Sequence, residues 1–596
     1  MFLKDSDEEV KIMSKNYNND QQTGINNNNN TPRSRPYRKS KKPTPKRGIL
    51  KIIICFALFV SLIIIGWQAR RLFPYPTVLA HLGIENWQVW EFHDYFGLDP
   101  NVVNVVLESQ RLTDLISPVI INGEVYFHHS FVREFIDPFV FWDESAQSLF
   151  FSTDTEVFRK PDMELVPAGL LREMYPYFLI NHQQEHNMVV IEDFREPAGR
   201  SALTTGRSTP IRYRPSNTAY ITQHVPRDTP LILFYEVYQE GDFIRVRTPE
   251  GLLGYAPVDA LTTSLPSTPI EGAPPRPLPN FPIINLTWEM ITTQAANYVL
   301  MSTPLPEGLN VISPTWFYFD SDTLAVTSHA THSYVEWAHN YGVQVWPRIF
   351  DSNSDISHRV LTDYRIREQA ISQLIQLVEE YNLDGININF EFVPRTDGGY
   401  YVQFLRELAP KMREIGAVLS VATFVPAPWF QQYHHDLVGK TVDFVAIMTY
   451  DEHYPGSPEP GPVASLPFVE RSVRDALALI PRERLILCLP FYNRLWNVMP
   501  DGTHGTNDIG MARPWALVEE WGVTPTWDPV LGYYYVNFNS NFNGTDNITY
   551  RIWIECERSI GEKLNIFQEN ELAGVASWRR GLETPGVWEQ IRQVIR

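Results

Sequence analysis

Eight short apolar runs of β type recur between Ile284 and Arg596, with amphipathic stretches between them: INLTW, NVISPTWFYF, GVQVWPRIF, LDGININFEF, AVLSVATFV, VDFVAIMTY, RLILCLPFY and AGVASW. Segments such as IREQAISQLIQLVEEYN and YVQFLRELAPKMREIG place apolar residues three and four apart, so the alternation is one of strand and helix. Strands that alternate with helices build a parallel sheet, and eight such units predict an α/β chain with a (β/α)8 TIM barrel over residues 283–596. A doubly wound sheet shares the alternation, and periodicity alone leaves it open.

On a barrel strand, residues of one parity point inward, which places Asn387, Asn389 and Glu391 on one interior face. Glu391 comes last, at the C-terminal rim, where barrel enzymes carry their chemistry. The bland alternative for a rim glutamate is a salt bridge to a loop arginine.

The run Asp384-Gly385-Ile386-Asn387-Ile388-Asn389-Phe390-Glu391 resembles the fourth-strand signature of glycoside hydrolase family 18, which has three aspartates and a glutamate at this spacing. Met448-Thr449-Tyr450-Asp451 is similar to the family's sixth-strand motif, LPFYNRLW with Tyr492 to its seventh, and GVASWRRG with Trp578 to its eighth. The likeness is greatest to the branch of bacterial spore-cortex and wall N-acetylglucosaminidases. It implies that Glu391 is the catalytic general acid and that Asp384, Asn387, Asn389, Met448, Tyr450, Asp451, Tyr492 and Trp578 bind substrate. It also implies that no protein nucleophile is needed, because the acetamido carbonyl of an N-acetylhexosamine attacks the anomeric carbon. Tyr450 would hydrogen-bond that acetamido oxygen, and Trp578 would form the apolar base under the sugar. No cofactor and no metal are implied, and His434-His435, like His128-His129, is expected in a loop.

Asn389 departs from the family's aspartate. An amide oxygen still accepts the acetamido N–H but brings no charge, a loss of a few kcal/mol in the transition state, or about a hundredfold in rate. Asn389→Asp is therefore expected to raise the rate.

The rest of the chain divides by composition. Residues 1–48 include an Asn/Gln-rich tract and a basic, Pro-containing stretch, and are expected to be disordered and cytoplasmic. Residues 49–68 span ILKIIICFALFVSLIIIGW, an expected transmembrane helix. Nine Lys/Arg and no acid between Arg33 and Lys51 predict an inside N-terminus and extracellular domains, on a bacterial cell membrane. Residues 75–206 form an expected α+β stalk; INGEVYFHHSFVREFIDPFVFWDESAQSLFFSTD resembles a repeat of the copper amine oxidase N-terminal stalk and implies a spacer. Residues 207–262, with short strands and polar turns, resemble a small β-barrel, the SH3-like domain, closed around Phe243, Gly251, Gly254 and Tyr255. A Pro-rich linker, 263–282, precedes the barrel.

Residues 1–51 carry twelve Lys/Arg against five Asp/Glu, so the net charge of −19 leaves −26 on the remainder. That excess of acid excludes a nucleic-acid groove. The three cysteines, Cys55, Cys488 and Cys556, make no disulfide framework. The expected partner is an N-acetylhexosamine polysaccharide, peptidoglycan or chitin-like, with the membrane as a second contact through the one helix. Two functions compete: a wall-glycan hydrolase, and a lectin-like binder that keeps the cleft and has lost turnover. A purely structural envelope anchor leaves Glu391, Tyr450 and Trp578 unexplained.

Overall fold

The computed structural model describes residues 96–595, except 114, 154, 194–199, 218, 220, 234–238, 263–280 and 543–545. Contacts divide the chain after Pro74, and every described residue lies in the second unit, Tyr75–Arg596. The expected tail, the apolar run and most of the linker lie outside the described residues. Among the described residues no helix is long and apolar enough to cross a membrane.

The eight apolar runs supply eight parallel strands. They are β1 (Ile284–Glu289), β2 (Val311–Pro314, resuming at Phe317–Phe319), β3 (Gln344–Val345 and Arg348–Phe350) and β4 (Gly385–Asn389). The others are β5 (Val418–Phe424), β6 (Phe444–Met448), β7 (Leu485–Pro490) and β8 (Gly574–Trp578). Each pairs with the next, and β8 lies between β7 and β1, with Pro490 opposite Trp578 and Ile284 opposite Gly574. The ring closes, so the doubly wound alternative is excluded. β3 breaks at Trp346-Pro347, where proline has no N–H to give the ladder. The neighbours bridge the gap, since Trp346 N donates to Ile312 O and Asn387 N to Pro347 O, each at 2.9 Å. Gly385 opens β4 because a Cβ there would lie 2.6 Å from Val418 O and 2.9 Å from the Trp346 ring. Trp288, Trp346 and Phe444 fill the lumen with small neighbours such as Ala446, Cys488 and Ala576.

Between β7 and β8 stands an insertion that the run pattern does not announce. Five antiparallel strands follow the order His504–Gly510, Tyr492–Val498, Asp546–Ile554, Tyr533–Phe542, Thr526–Asp528. The helix Arg513–Trp521 packs its Leu517 on Val536, Ile552 and Ile554 of that sheet. The motif LPFYNRLW therefore straddles two structures, with Leu489 and Pro490 in β7 and Tyr492 onward in the insertion.

Residues 96–193 are mixed α and β, with short helices at His129–Phe135 and Ala168–Met174. Here His128 ends a strand and His129 opens a helix, and His435 likewise opens the helix His435–Thr441, so neither pair is simply loop. Eight short strands between Arg200 and Thr262 form the next sheet, around Ala202, Ile211, Leu231, Val246 and Ala256. Residues 96–193 lie against the flank of the barrel. Arg367, on the barrel helix Tyr364–Tyr381, is fully buried and bonds Asp143 at 2.5 Å and Glu407 at 3.0 Å. Arg406 donates to Ser152 Oγ at 2.8 Å and to Thr153 O at 3.0 Å, and the Phe141 and Tyr400 rings meet edge-on at 5.0 Å.

Candidate active site

A cleft of about 700 Å³ opens at the C-terminal ends of the strands. Alternation along β4 sets its depth. Asn387 is buried below it, accepting from Trp288 Nε1 at 3.2 Å and donating to Ser420 Oγ at 3.0 Å. Asn389 stands one step higher, and Glu391, one step beyond the strand, reaches the cleft with its side chain 33 % exposed. Asp351, on the turn after β3, accepts the backbone amides of Glu391 and Phe392 at 2.7 and 2.8 Å and the hydroxyl of Ser357. Burial pushes the Asp351 carboxyl up to about 6.

Arg348, like Asp351, is a residue that sequence reasoning missed. Its Nε donates to Asn389 Oδ1, while Asn389 Nδ2 donates to Ala422 O at 3.3 Å. Its Nη2 lies 3.4 Å from Glu391 Oε1, and its Cζ lies 5.4 Å from the centre of the Trp578 ring. The salt bridge weighed against catalysis is thus present, but its arginine comes from β3 and not from a loop. Burial lowers the Arg348 pKa from its ordinary value, and Glu391 beside it opposes that shift. A parity count on β3 would have placed this side chain inside, because Arg348 pairs with Asn387 in register.

The opposite wall comes from β6, β8 and the insertion. Met448, the last residue of β6, lines the cleft next to Tyr450. Burial holds the Tyr450 hydroxyl well above its usual pKa, so it remains a donor. Tyr492 meets Tyr450 edge-on at 6.2 Å and donates to Asp451 Oδ1 at 2.5 Å. Arg494 holds the same oxygen at 3.0 Å and Asp508 at 2.9 Å. Asp451 has φ +59°, which swings its carboxylate toward these partners. Trp578 closes the floor, 6.0 Å from the Trp288 ring, and Trp429 stands 60 % exposed at the margin.

Seven of the expected residues therefore share one cleft: Asn389, Glu391, Met448, Tyr450, Asp451, Tyr492 and Trp578. Asn387 supports it from beneath. Asp384 is elsewhere, because it precedes the strand and sits at its lower end. There it accepts from Val345 N at 2.9 Å and bonds His339 Nε2 at 2.8 Å, a tie between β4, β3 and the helix His332–Asn340. Among the described residues no group of three His, Cys, Asp or Glu could hold a metal ion.

Residues 330–583 match the family model for glycosyl hydrolases family 18. A protein of Bacillus subtilis (strain 168) named as a sporulation-specific glycosylase, YdhD, is 29% identical over 249 residues, 40% of this chain and 56% of that protein. The uncharacterized glycosylase YvbX of the same organism is 25% identical over 308 residues, covering 48% of this chain and 84% of YvbX. The cortical fragment-lytic enzyme of Bacillus anthracis is 26% identical over 244 residues, 40% of this chain and 55% of that enzyme. The chain thus spans little more than half the length of YdhD and of the cortical enzyme.

Proposed function

Residues 330–583 are a domain of glycosyl hydrolases family 18, and from that premise we propose that the cleft hydrolyses the glycosidic bond after an N-acetylhexosamine. The observation that carries the reading is the convergence of Glu391, Tyr450 and Trp578 on one cleft at the strand ends. Glu391 gives its proton to the glycosidic oxygen as the bond from that oxygen to the anomeric carbon breaks. The acetamido carbonyl oxygen bonds to the same carbon, forming an oxazolinium ring whose oxygen the Tyr450 hydroxyl holds. Water then attacks the anomeric carbon, returns a proton to Glu391 and reopens the ring. Trp578 supplies the apolar face on which the sugar rests.

Peptidoglycan is the substrate that the expected membrane run at 49–68 favours over chitin, since a protein tethered outside its own membrane meets the wall first. In this reading the Arg200–Thr262 sheet serves as an SH3-like wall-binding module and residues 96–193 as its support.

One observation favours the rival, binding without turnover. Arg348 places a cation where the reaction develops positive charge. The full chain incubated with peptidoglycan and with chitin oligomers separates the two. New reducing ends, lost in Glu391→Gln while glycan still binds, establish the hydrolase; binding with no reducing ends in the wild type establishes the rival.

A further inference from the structure

We infer that Arg348 is a positioning residue and that Arg348 and Asn389 act as a matched pair, which jointly sets the charge of the sugar subsite and restrains turnover. The inference rests on the reading of the cleft as a hydrolase that uses the substrate's acetamido group.

The pairing is geometric. Asn389 has its amide turned by two contacts, Nδ2 toward Ala422 O and Oδ1 toward Arg348 Nε. The oxygen expected to receive the substrate N–H already receives a guanidinium. That guanidinium also borders Glu391 and the Trp578 ring, so it flanks the place where the sugar ring becomes cationic. A fixed positive charge there opposes the transition state, whereas a preorganised negative one favours it. Among the described residues, the two neighbouring aspartates are turned to other partners. Asp351 is turned to the backbone amides of Glu391 and Phe392, and Asp451 is held by Tyr492 and Arg494. Glu391 faces the guanidinium at 3.4 Å, and Tyr450 and Asp351 also bear on it electrostatically.

The consequence reverses the simple expectation for Asn389→Asp. A carboxylate at 389 would meet Arg348 Nε at hydrogen-bond distance and form a charge-assisted pair with it. Its charge would be neutralised by Arg348 before any substrate arrived. The missing charge is recovered only when Arg348 is made neutral as well.

A double-mutant cycle on the full chain tests this, with release of reducing ends from N-acetylglucosamine oligomers as the readout and kcat separated from KM. We expect Asn389→Asp alone to change kcat less than about threefold, Arg348→Met alone less than about tenfold, and the two together to raise it about a hundredfold. Arg348→Lys with Asn389→Asp keeps the cation and should stay near the single variant. Arg348→Gln replaces Arg348→Met if the latter does not melt cooperatively. The inference is overturned if Asn389→Asp alone matches the double variant, if the two effects simply multiply, or if the double variant is no faster than wild type. Glu391→Gln in the double variant should silence it. Persisting turnover there overturns the assignment of Glu391 and leaves the Arg348–Asn389 coupling as measured.

Discussion

Asp351 accepts one backbone amide on each carboxylate oxygen, Glu391 N at 2.7 Å and Phe392 N at 2.8 Å, and so fixes the main chain on which the rim glutamate stands. A carboxylate that does this while 2 % exposed is held against the tendency of burial to neutralise it. The chain after β4 is thereby tied to the turn after β3.

Asp351 should leave a signature in the pH dependence of stability. Burial raises its folded pKa from 3.8 to about 6. A raised folded pKa contributes stability that is complete below the unfolded value and is lost as pH rises through the folded one, about 3 kcal/mol in all. Asp351→Asn removes that dependence. Urea unfolding of both proteins from pH 3.5 to 7.5 should show the wild type losing ground to the variant between about pH 4 and 6; parallel curves would refute it.

Trp429 should matter to affinity and not to folding. Its ring is 60 % exposed at the cleft margin, so Trp429→Ala removes a stacking face without opening a core. Affinity for longer N-acetylglucosamine oligomers should fall roughly tenfold, with the melting temperature unchanged. Calorimetric titration with a graded oligomer series checks this, and an equal loss for every length would place the ring elsewhere on the glycan path.

Arg367→Met should destabilise the protein by about 3–5 kcal/mol, because it strands two buried carboxylates, Asp143 and Glu407. The loss should be concentrated at the flank. Limited proteolysis should then cut within residues 96–193 before it cuts the barrel, and simultaneous cleavage of both would show that the pair does not fasten one to the other.

The membrane assignment rests on residues 49–68. The full chain should stay with membranes through an alkaline wash, and deletion of residues 1–74 should release it. Release of the full chain by the same wash would show that the run does not anchor it.

Much of the barrel is legible in sequence because its strands are buried on both faces and so read as unbroken apolar words. Glu391 could be placed at the rim by counting from Asn387, since strand parity is rigid. What sequence conceals is what register decides. Arg348 reads as one charged letter in GVQVWPRIF, and only its pairing with Asn387 brings it beneath Asn389 and Glu391. Asp351 acts through backbone amides of the chain that follows β4, which no side-chain motif records. Asp384 belongs to the quoted motif yet precedes the strand, so its side chain serves the lower end. The insertion breaks the repeat with antiparallel strands, and the pattern of strand and helix has no term for it.

The flank contact has a consequence in time. Asp143 bonds Ser145 and Ala146 through Oδ1, both local, but its Oδ2 bonds Arg367, 224 residues further along. At about 5–20 residues per second, roughly ten seconds or more of synthesis separate the acid from its cation. Over that interval Asp143 is already made and the Arg367 that its second oxygen will meet is not. Glu407, which shares Arg367, comes later still. The buried ion pair of Asp143 is therefore completed only after the helix Tyr364–Tyr381 has been made.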